Sequence, residues 1–186
     1  MKRSIDLIIA GSASAILLPM ILLICLLVAC TSRGPVIYWS RRVGRANRIF
    51  MMPKFRSMKC DTPILPTDLL VNPSMYLTPV GSFIRNTSLD ELPQLWSILK
   101  GDMSFVGPRP ALFNQHNLIK LRSNFGIDGL TPGLTGWAQV NGRDEVSDYE
   151  KVKFDLEYLQ NASLLFDLKI IWLTFSKVFS GSGVSH

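Results

Sequence analysis

Two adjacent carboxylates, Asp90 and Glu91, are the residues best suited to chemistry in this sequence. The histidines are His116 and His186 alone, so acid–base or nucleophilic chemistry must come mainly from carboxylates, Lys, Arg or Tyr. A carboxylate pair can hold a divalent cation together with a phosphate ligand, and one of the two carboxylates can attack phosphorus. The residue types therefore indicate chemistry on phosphate and argue against a serine–histidine–aspartate triad.

The sequence also contains several cationic residues, some of them next to prolines that stiffen the backbone. Arg109 lies between two prolines, which restrict its backbone and keep its planar guanidinium aimed, as a bidentate phosphate ligand requires. Lys54 and Arg56 follow a third proline, and Arg85 precedes the acidic pair by five and six residues. Acidic metal ligands beside several aimed cations indicate phosphoryl transfer, in which positioning and charge neutralisation supply most of the catalysis.

The acidic pair lies where an amphipathic helix is predicted to begin. Ser88-Leu89-Asp90-Glu91 matches a capping box, in which Ser88 accepts from the third amide and Glu91 reaches back. Asp90 is an alternative N-cap, because it would place Pro93 in the first turn. Carboxylates in a first turn face unpaired amides, so we expect both acids to stay ionised. The helix interior is apolar at helical spacing, with Leu92, Leu95, Trp96 and Leu99 before Gly101.

The other predicted elements indicate an α+β fold that is mainly α with a small β-hairpin. Val36 to Met58 is interpreted as the hairpin, with a turn around residues 44–47 and Pro53 ending or edging the second strand. Residues 60–79 are predicted to form a surface loop, and residues 129–142 are rich in turn residues. Helices are predicted over residues 112–122, 147–158 and 163–179.

Length and composition limit the class of protein. The 186 residues allow one domain with an appendage, and 47% hydrophobic against 18% charged residues excludes a disordered chain. A mean hydropathy of +0.23 is unusually apolar for a soluble basic protein. The net charge of +6 suits a nucleic acid, a nucleotide substrate or an anionic membrane. Cys25, Cys30 and Cys60 have neither C-x-x-C nor metal-ligand spacing.

The N-terminal segment from Leu7 to Cys30 has 24 residues without a charge. As a helix it would be about 36 Å long, enough to cross a hydrocarbon core of about 30 Å. Positive charge flanks both ends, and each flank prefers the cytoplasmic side, which a single span cannot satisfy. Pro19 lies near the middle, so the sequence favours a re-entrant helix that is broken at Pro19 and dips into one leaflet.

Three other interpretations of this segment stay open. A kinked but spanning helix is one, because proline is tolerated within membrane spans. A lipoprotein signal peptide is another, because Leu27-Val28-Ala29-Cys30 is similar to a lipid-attachment box, although the apolar run is long for a signal. A buried core helix is the third, and it is disfavoured by the lack of a polar face. The predicted C-terminal helix over residues 163–179 is interpreted either as an interfacial membrane helix or as a core helix.

Five runs of residues are long enough to be specific: Lys54–Met58, Thr87–Gln94, Leu99–Pro110, Pro132–Arg143 and Gly183–Ser185. They resemble the bacterial sugar transferases known as monotopic phosphoglycosyl transferases, and the resemblance covers essentially the whole chain. It implies that a UDP-sugar donates its sugar phosphate to polyprenyl phosphate, giving polyprenyl diphosphate sugar and UMP. The enzyme class implied is a transferase of phosphorus-containing groups, acting at the first membrane step of bacterial glycoconjugate assembly.

The resemblance also implies roles for individual residues. Asp90 would be the nucleophile that forms a covalent phosphosugar intermediate, and it would bind Mg²⁺. Glu91 would assist in metal binding or proton handling. The implied phosphate-binding residues are Arg109, Lys54, Arg56, Arg85 and Arg143.

The membrane element of the family is a re-entrant helix broken at a Ser-Pro pair, whereas this chain has Leu18-Pro19. The resemblance therefore implies a monotopic protein on the cytoplasmic face of the bacterial cell membrane, with the lipid bilayer as a partner. We expect residues 1–33 to form the membrane helix and residues 34–186 to form a catalytic domain with interfacial helices. The chain resembles the minimal catalytic form of the family.

A rival hypothesis is a membrane-anchored cationic binding protein in which the acidic pair only caps a helix. Nucleic-acid binding is not expected, because the basic residues flank a membrane segment and the aromatic residues are not interleaved with them. The sequence leaves open the identity of the sugar, the glycoconjugate pathway, the lipid chain length and whether the chain forms a homo-oligomer.

Overall fold

The fold is known from a computed structural model that describes residues 1–65, 70, 72–142 and 146–180, with side chains to residue 177. It is mainly helical with small sheets, which confirms the α+β expectation. The helices are α1 Lys2–Thr31, α2 Gly81–Asn86, α3 Gln94–Lys100, α4 His116–Asn124, α5 Trp137–Asn141, α6 Asp148–Asn161 and α7 Leu164–Ser180. The strands are β1 Ile37–Val43, β2 Ile49–Phe55, β3 Ser104–Val106 and β4 Gly133–Thr135.

Strands β1 and β2 form the predicted antiparallel hairpin. Their register pairs Ile37 with Phe55 and Val43 with Ile49. Pro53 pairs with Trp39 inside β2, so the strand continues for two residues beyond the proline that was predicted to end or edge it. A proline is tolerated there because β2 has a single neighbour, and its missing donor lies on a strand edge.

Strands β3 and β4 form a short parallel pair that positions the Pro108-Arg109-Pro110 segment. Ser104 pairs with Gly133, and Gly133 lies so close to the next segment that a Cβ there would be 2.1 Å from the Gly107 nitrogen. Only glycine permits this approach of two backbones. The sequence predicted turns over residues 129–142, and β4 was missed because three residues carry no recognisable alternation.

Helix α1 contacts the rest of the chain along one face over its whole length. The contacting residues recur every three or four positions, which places them on a single helical stripe. Ala10 packs with Phe50, Leu95 and Ile98 in one apolar cluster, and Ile24 and Val28 pack with Phe55 and Ile84 in another. The buried and half-buried members of this stripe are Lys2, Asp6, Ala10, Ala13, Ser14, Leu17, Met20, Ile21, Ile24, Cys25 and Val28.

The predicted break of α1 at Pro19 is a point on which the structure differs from the sequence analysis. Lys2–Thr31 is one α-helix with Pro19 in its interior. A proline removes one helical hydrogen bond, but packed residues on both sides of it, Leu17 and Ile21, hold the helix against the protein. By length and composition, α1 is apolar enough to cross a membrane.

The first turns of α1 are held to the rest of the chain by polar contacts. Lys2 Nζ lies 2.5 Å from Asp167 Oδ2, and Arg3 donates to the Ile98 and Leu99 carbonyls at 2.5 and 2.8 Å. Asp6, which is 6% exposed, accepts from Ser104 Oγ at 2.9 Å. The N-terminal cations expected to act as topology signals therefore also make specific contacts within the protein.

Helix α7 follows the predicted range and has two different faces. Ile170 is fully buried and packs with Val106, Val140 and Tyr158. The opposite face exposes large apolar side chains, namely Leu165, Leu168, Trp172 and Phe175. The buried face fits the interpretation as a core helix, and the interfacial membrane helix stays a prediction for the exposed face. Lys169 lies 5.3 Å from the centre of the Trp137 ring, so it makes a cation–π contact with this tryptophan.

Candidate active site

The acidic pair lies in a tight turn between α2 and α3. Ser88 has a left-handed backbone with φ +56°, and Leu89–Glu91 then form a single turn of 3₁₀-helix. The capping box is absent, because Ser88 makes no side-chain cap and α3 begins only at Gln94. The alternative with Asp90 as N-cap is also wrong, since Pro93 takes that position. A strained, well-packed turn is a usual setting for functional residues.

Asp90 is the more buried of the two acids, at 6% exposure. Burial raises the pKa of Asp90 above its ordinary value, and the neighbouring Glu91 adds to this, while Lys54, Arg85 and Arg109 oppose it. From the sequence, the dipole of a helix was expected to keep both acids ionised. The pKa of Asp90 is raised instead, because Asp90 lies in a buried turn that precedes α3 and not in the first turn of that helix.

Glu91 makes the direct contacts with cations. Its Oε1 accepts from Lys54 Nζ at 2.7 Å and lies 3.4 Å from Arg109 Nη2. Burial raises the pKa of Glu91, but Lys54 and Arg109 outweigh this effect, so its pKa lies well below the ordinary value. Lys54 Nζ also lies 3.9 Å from Asp90 Oδ2. The two carboxylates, Lys54 and Arg109 thus form one compact cluster, brought together from three parts of the chain.

The backbone of Arg109 is fixed by a hydrogen bond as well as by the two flanking prolines. Its carbonyl accepts from Arg122 Nη1 of α4 at 2.8 Å. Arg122 in turn donates to Asp155 Oδ2 of α6 at 2.7 and 2.9 Å, and Asp155 is 1% exposed. Burial raises the pKa of Asp155, and Arg122 opposes this. A buried ion pair therefore connects α4 and α6 to the backbone of Arg109.

The other predicted phosphate-binding residues are placed differently. Arg56 is 8% exposed and donates to the Arg33 carbonyl at 3.2 Å and to Cys60 Sγ at 2.8 Å, so it holds the chain that leaves α1. Arg85 lies in the last turn of α2, close enough for its charge to lower the pKa of Asp90. Arg143 lies outside the described residues.

Two residues that the sequence analysis missed border the cluster. Arg42 of β1 donates to the Pro110 carbonyl at 3.1 Å and lowers the pKa of Glu91 through its charge. Gln94 is 2% exposed and lines a cleft together with Arg42, Glu91 and Arg109. Arg42 is one of two adjacent arginines, which resemble surface cations. Gln94 ends the specific run Thr87–Gln94, but as a neutral residue it was not singled out for a role.

The chemistry of the donors fits Mg²⁺. Asp90 and Glu91 supply the carboxylate oxygens that this ion prefers, and magnesium sites often use one or two carboxylates plus substrate phosphates and water. Among the described residues no group of three or more His, Cys, Asp or Glu side chains could hold a metal. Asp90 and Glu91 would therefore need phosphate oxygens from a substrate to complete a magnesium site.

Comparisons with known proteins identify the family of this chain. The model of the bacterial sugar transferase family matches residues 1–181. The galactosyl transferase CpsE of Streptococcus agalactiae serotype III is 40% identical over 81% of this chain and 36% of its own length. The UDP-glucose:undecaprenyl-phosphate glucose-1-phosphate transferase of Escherichia coli K12 is 40% identical over 96% of this chain.

The relatives differ in length. This chain spans 40% of the Escherichia coli protein. It spans 87% of the exopolysaccharide production protein ExoY of Rhizobium meliloti, to which it is 38% identical over 98% of its own length. The family match over nearly all residues, together with these identities, is decisive. This chain belongs to the bacterial sugar transferase family.

Proposed function

We propose that this protein is a membrane-bound phosphoglycosyl transferase that moves a sugar-1-phosphate from a UDP-sugar to polyprenyl phosphate and releases UMP. The observation that carries the proposal is that Asp90 is buried beside Glu91 and that two cations contact this acidic pair. Lys54 lies close to Asp90, and Arg109 lies close to Glu91. The name of the Escherichia coli relative, which includes UDP-glucose and undecaprenyl phosphate, supports this substrate class.

In the first half-reaction a carboxylate oxygen of Asp90 attacks the sugar-bearing phosphorus of the UDP-sugar. The bond from that phosphorus to the bridging oxygen of the diphosphate breaks, and UMP leaves with that oxygen and the bonding electron pair. The phosphosugar stays on Asp90 as an acyl phosphate. Lys54, 3.9 Å from Asp90, and Arg109 neutralise the charge that develops on the phosphoryl oxygens.

In the second half-reaction an oxygen of polyprenyl phosphate attacks the same phosphorus. The bond between Asp90 and phosphorus breaks, the Asp90 carboxylate is regenerated, and polyprenyl diphosphate sugar leaves. Mg²⁺ held by Asp90 and Glu91 would neutralise substrate phosphate charge and favour the ionised carboxylate. The two half-reactions are separable, because the first needs no lipid.

We also propose that α1 attaches the protein to one face of the membrane, with both of its ends on the cytoplasmic side. Two observations support this. The start of α1 contacts Asp167 and Ser104, and its end packs on Phe55 and Ile84, all of which belong to the same body of the protein. The outward face of α1 is apolar, as is the exposed face of α7, so both suit the hydrocarbon region of a bilayer.

The test is UMP release from a panel of UDP-sugars by the full chain in Mg²⁺, with and without a short polyprenyl phosphate. Asp90→Asn should slow UMP release by about 10³-fold or more even without lipid, because the nucleophile is lost. With a donor labelled in the sugar phosphate, label should remain on the denatured wild-type protein and be absent from the variant.

Asp61→Asn is the matched control, since Asp61 is an exposed aspartate in a loop. This variant should release UMP at the wild-type rate. Normal UMP release by Asp90→Asn would exclude Asp90 as the nucleophile. A wild-type chain that releases no UMP from any UDP-sugar would instead favour a cationic binding protein.

A further inference from the structure

A buried amide without a partner lies next to the acidic pair. Gln94 is 2% exposed, and its Nε2 has no hydrogen-bond partner among the described residues. A buried donor left unpaired costs about 1–3 kcal/mol, so such groups in native proteins call for an explanation. Gln94 lines the cleft that Glu91, Arg42 and Arg109 also line, so a ligand in this cleft could pair with the amide.

The donors around this cleft come from three parts of the chain. Arg42 lies on β1, Arg109 on the segment between two prolines, and Gln94 at the start of α3. The Arg42 backbone and side chain are fixed, since its Nε donates to Ser40 Oγ at 3.0 Å and its Nη1 to the Pro110 carbonyl at 3.1 Å. Two guanidinium groups and one neutral amide face a single carboxylate there, so the cleft suits an anionic oxygen acceptor.

The neutrality of Gln94 has a chemical consequence. A lysine at this position would pair with Glu91, as Lys54 already does at 2.7 Å. An amide instead donates to a phosphoryl oxygen without competing strongly for the carboxylate, which leaves Glu91 available to its cations or to a metal. A preformed donor of this kind stabilises charge that develops during transfer and needs no reorganisation.

We propose that Gln94 is a phosphoryl-binding residue whose Nε2 donates to a non-bridging oxygen of the phosphoryl group that is transferred. Arg42 and Arg109 flank the same group. This inference rests on the proposed phosphoglycosyl transfer. It assigns the contact with the phosphoryl oxygen to Gln94, which is neither an acid nor a cation. Gln94 makes no bond to phosphorus in either half-reaction.

The test compares Gln94→Leu and Gln94→Glu with the wild-type full chain in detergent. Gln94→Leu removes the unpaired amide and keeps an apolar group of similar size, so its Tm should equal or exceed that of the wild type. UMP release by this variant should nevertheless fall by about 10-fold or more, the effect of losing one hydrogen bond to a charged group. Gln94→Glu should be slower still, because a second carboxylate repels the diphosphate.

Binding of UDP, measured by calorimetry, gives a readout independent of turnover. The Kd for UDP should rise in both variants and stay unchanged in Ser97→Ala, a control on the same buried face of α3. Wild-type UMP release and UDP affinity in Gln94→Leu would overturn the inference while leaving the proposed function intact. An inactive wild-type chain would overturn both.

Discussion

Lys54 is the residue that connects the two acids of the site. Its Nζ lies 2.7 Å from Glu91 Oε1 and 3.9 Å from Asp90 Oδ2, and its side chain is 16% exposed. Such a placement makes Lys54 the cation nearest to the proposed nucleophile and also the partner that fixes Glu91. Since the cluster is largely removed from water, the charge of Lys54 acts on both carboxylates with little screening.

Lys54→Met should therefore slow UMP release by about 10²-fold, the size of effect seen when one preorganised electrostatic contact is removed. The physical reason is that Glu91 loses its closest cation and developing phosphoryl charge loses a neutralising group. Initial rates of UMP release at saturating UDP-sugar measure this.

Lys59→Met is the control for this variant. Lys59 is an exposed lysine four residues after β2, and its Nζ donates to the Met75 carbonyl rather than to an acid of the site. Equal rates for the two variants would show that Lys54 contributes nothing specific to the reaction.

Helices α4 and α6 position Arg109 through the buried pair of Arg122 and Asp155. The pair is connected by two hydrogen bonds, and a third bond from Arg122 reaches the Arg109 carbonyl. The close approach of β3 and β4 holds the same segment from the other side, since Gly133 donates to the Pro108 carbonyl at 3.0 Å. The direction of the Arg109 side chain thus depends on elements that contribute no side chain to the acidic pair.

Asp155→Asn should destabilise the protein by about 3–5 kcal/mol, because it leaves the Arg122 charge buried without its partner. Thermal unfolding of the purified chain should show a Tm lower by roughly 10 °C. Lys151→Ala, which removes a more exposed pair with Asp148 at 3.8 Å, should cost less than about 1 kcal/mol.

Replacing both members of the buried pair, as Arg122→Met with Asp155→Leu, separates stability from positioning. An apolar pair of similar volume should recover most of the lost stability. The rate of UMP release should stay low, because the Arg109 carbonyl has lost its donor. Full recovery of the rate would mean that the pair stabilises the fold without positioning Arg109.

At the scale of the whole molecule, the apolar helix α1 packs against the turn that carries the acidic pair. Leu89 and Leu92, on either side of the acidic pair, pack in the same cluster as Ile24 and Val28 of α1. The proposed catalytic turn is therefore supported by the element that we propose attaches the protein to the membrane. This arrangement would bring a lipid-borne phosphate to the site without requiring the lipid to leave the bilayer.

Cysteine labelling of intact cells tests the topology. Ser4→Cys and Arg48→Cys, in a chain whose native cysteines are replaced by serine, place single thiols at exposed positions in the first turn of α1 and beyond its end. An impermeant maleimide should label neither variant until the inner membrane is permeabilised, because the proposed topology puts both ends of α1 inside the cell. Labelling of Ser4→Cys alone in intact cells would indicate a spanning helix.

Local patterns in the sequence were enough to predict the hairpin, α3 and the two C-terminal helices. Helix start and stop signals predicted α6 and α7, and a β-rich pair of segments predicted the hairpin. Spacing of apolar residues predicted α3, and Gly101 marked its end, where it has φ +99°. These features depend on residues within a few positions of one another. The same is true of the prediction that the Asp90-Glu91 pair acts on phosphate, which rests on the residue types of two adjacent positions.

Only the tertiary structure decided which cations contact Asp90 and Glu91. Lys54 Nζ donates to Glu91, 37 residues away in sequence, whereas Arg56, two residues later, donates to the Arg33 carbonyl and not to an acid of the site. Alternation along a strand would put both side chains on one face, but Arg56 lies just past the end of β2, where this rule no longer applies. Burial of Asp90 and the unpaired amide of Gln94 likewise depend on contacts between distant segments. Residue types and spacing determine local structure and the chemistry that is available. The direction in which a pKa shifts, and which distant side chains come together, depend on what the folded chain packs around each group.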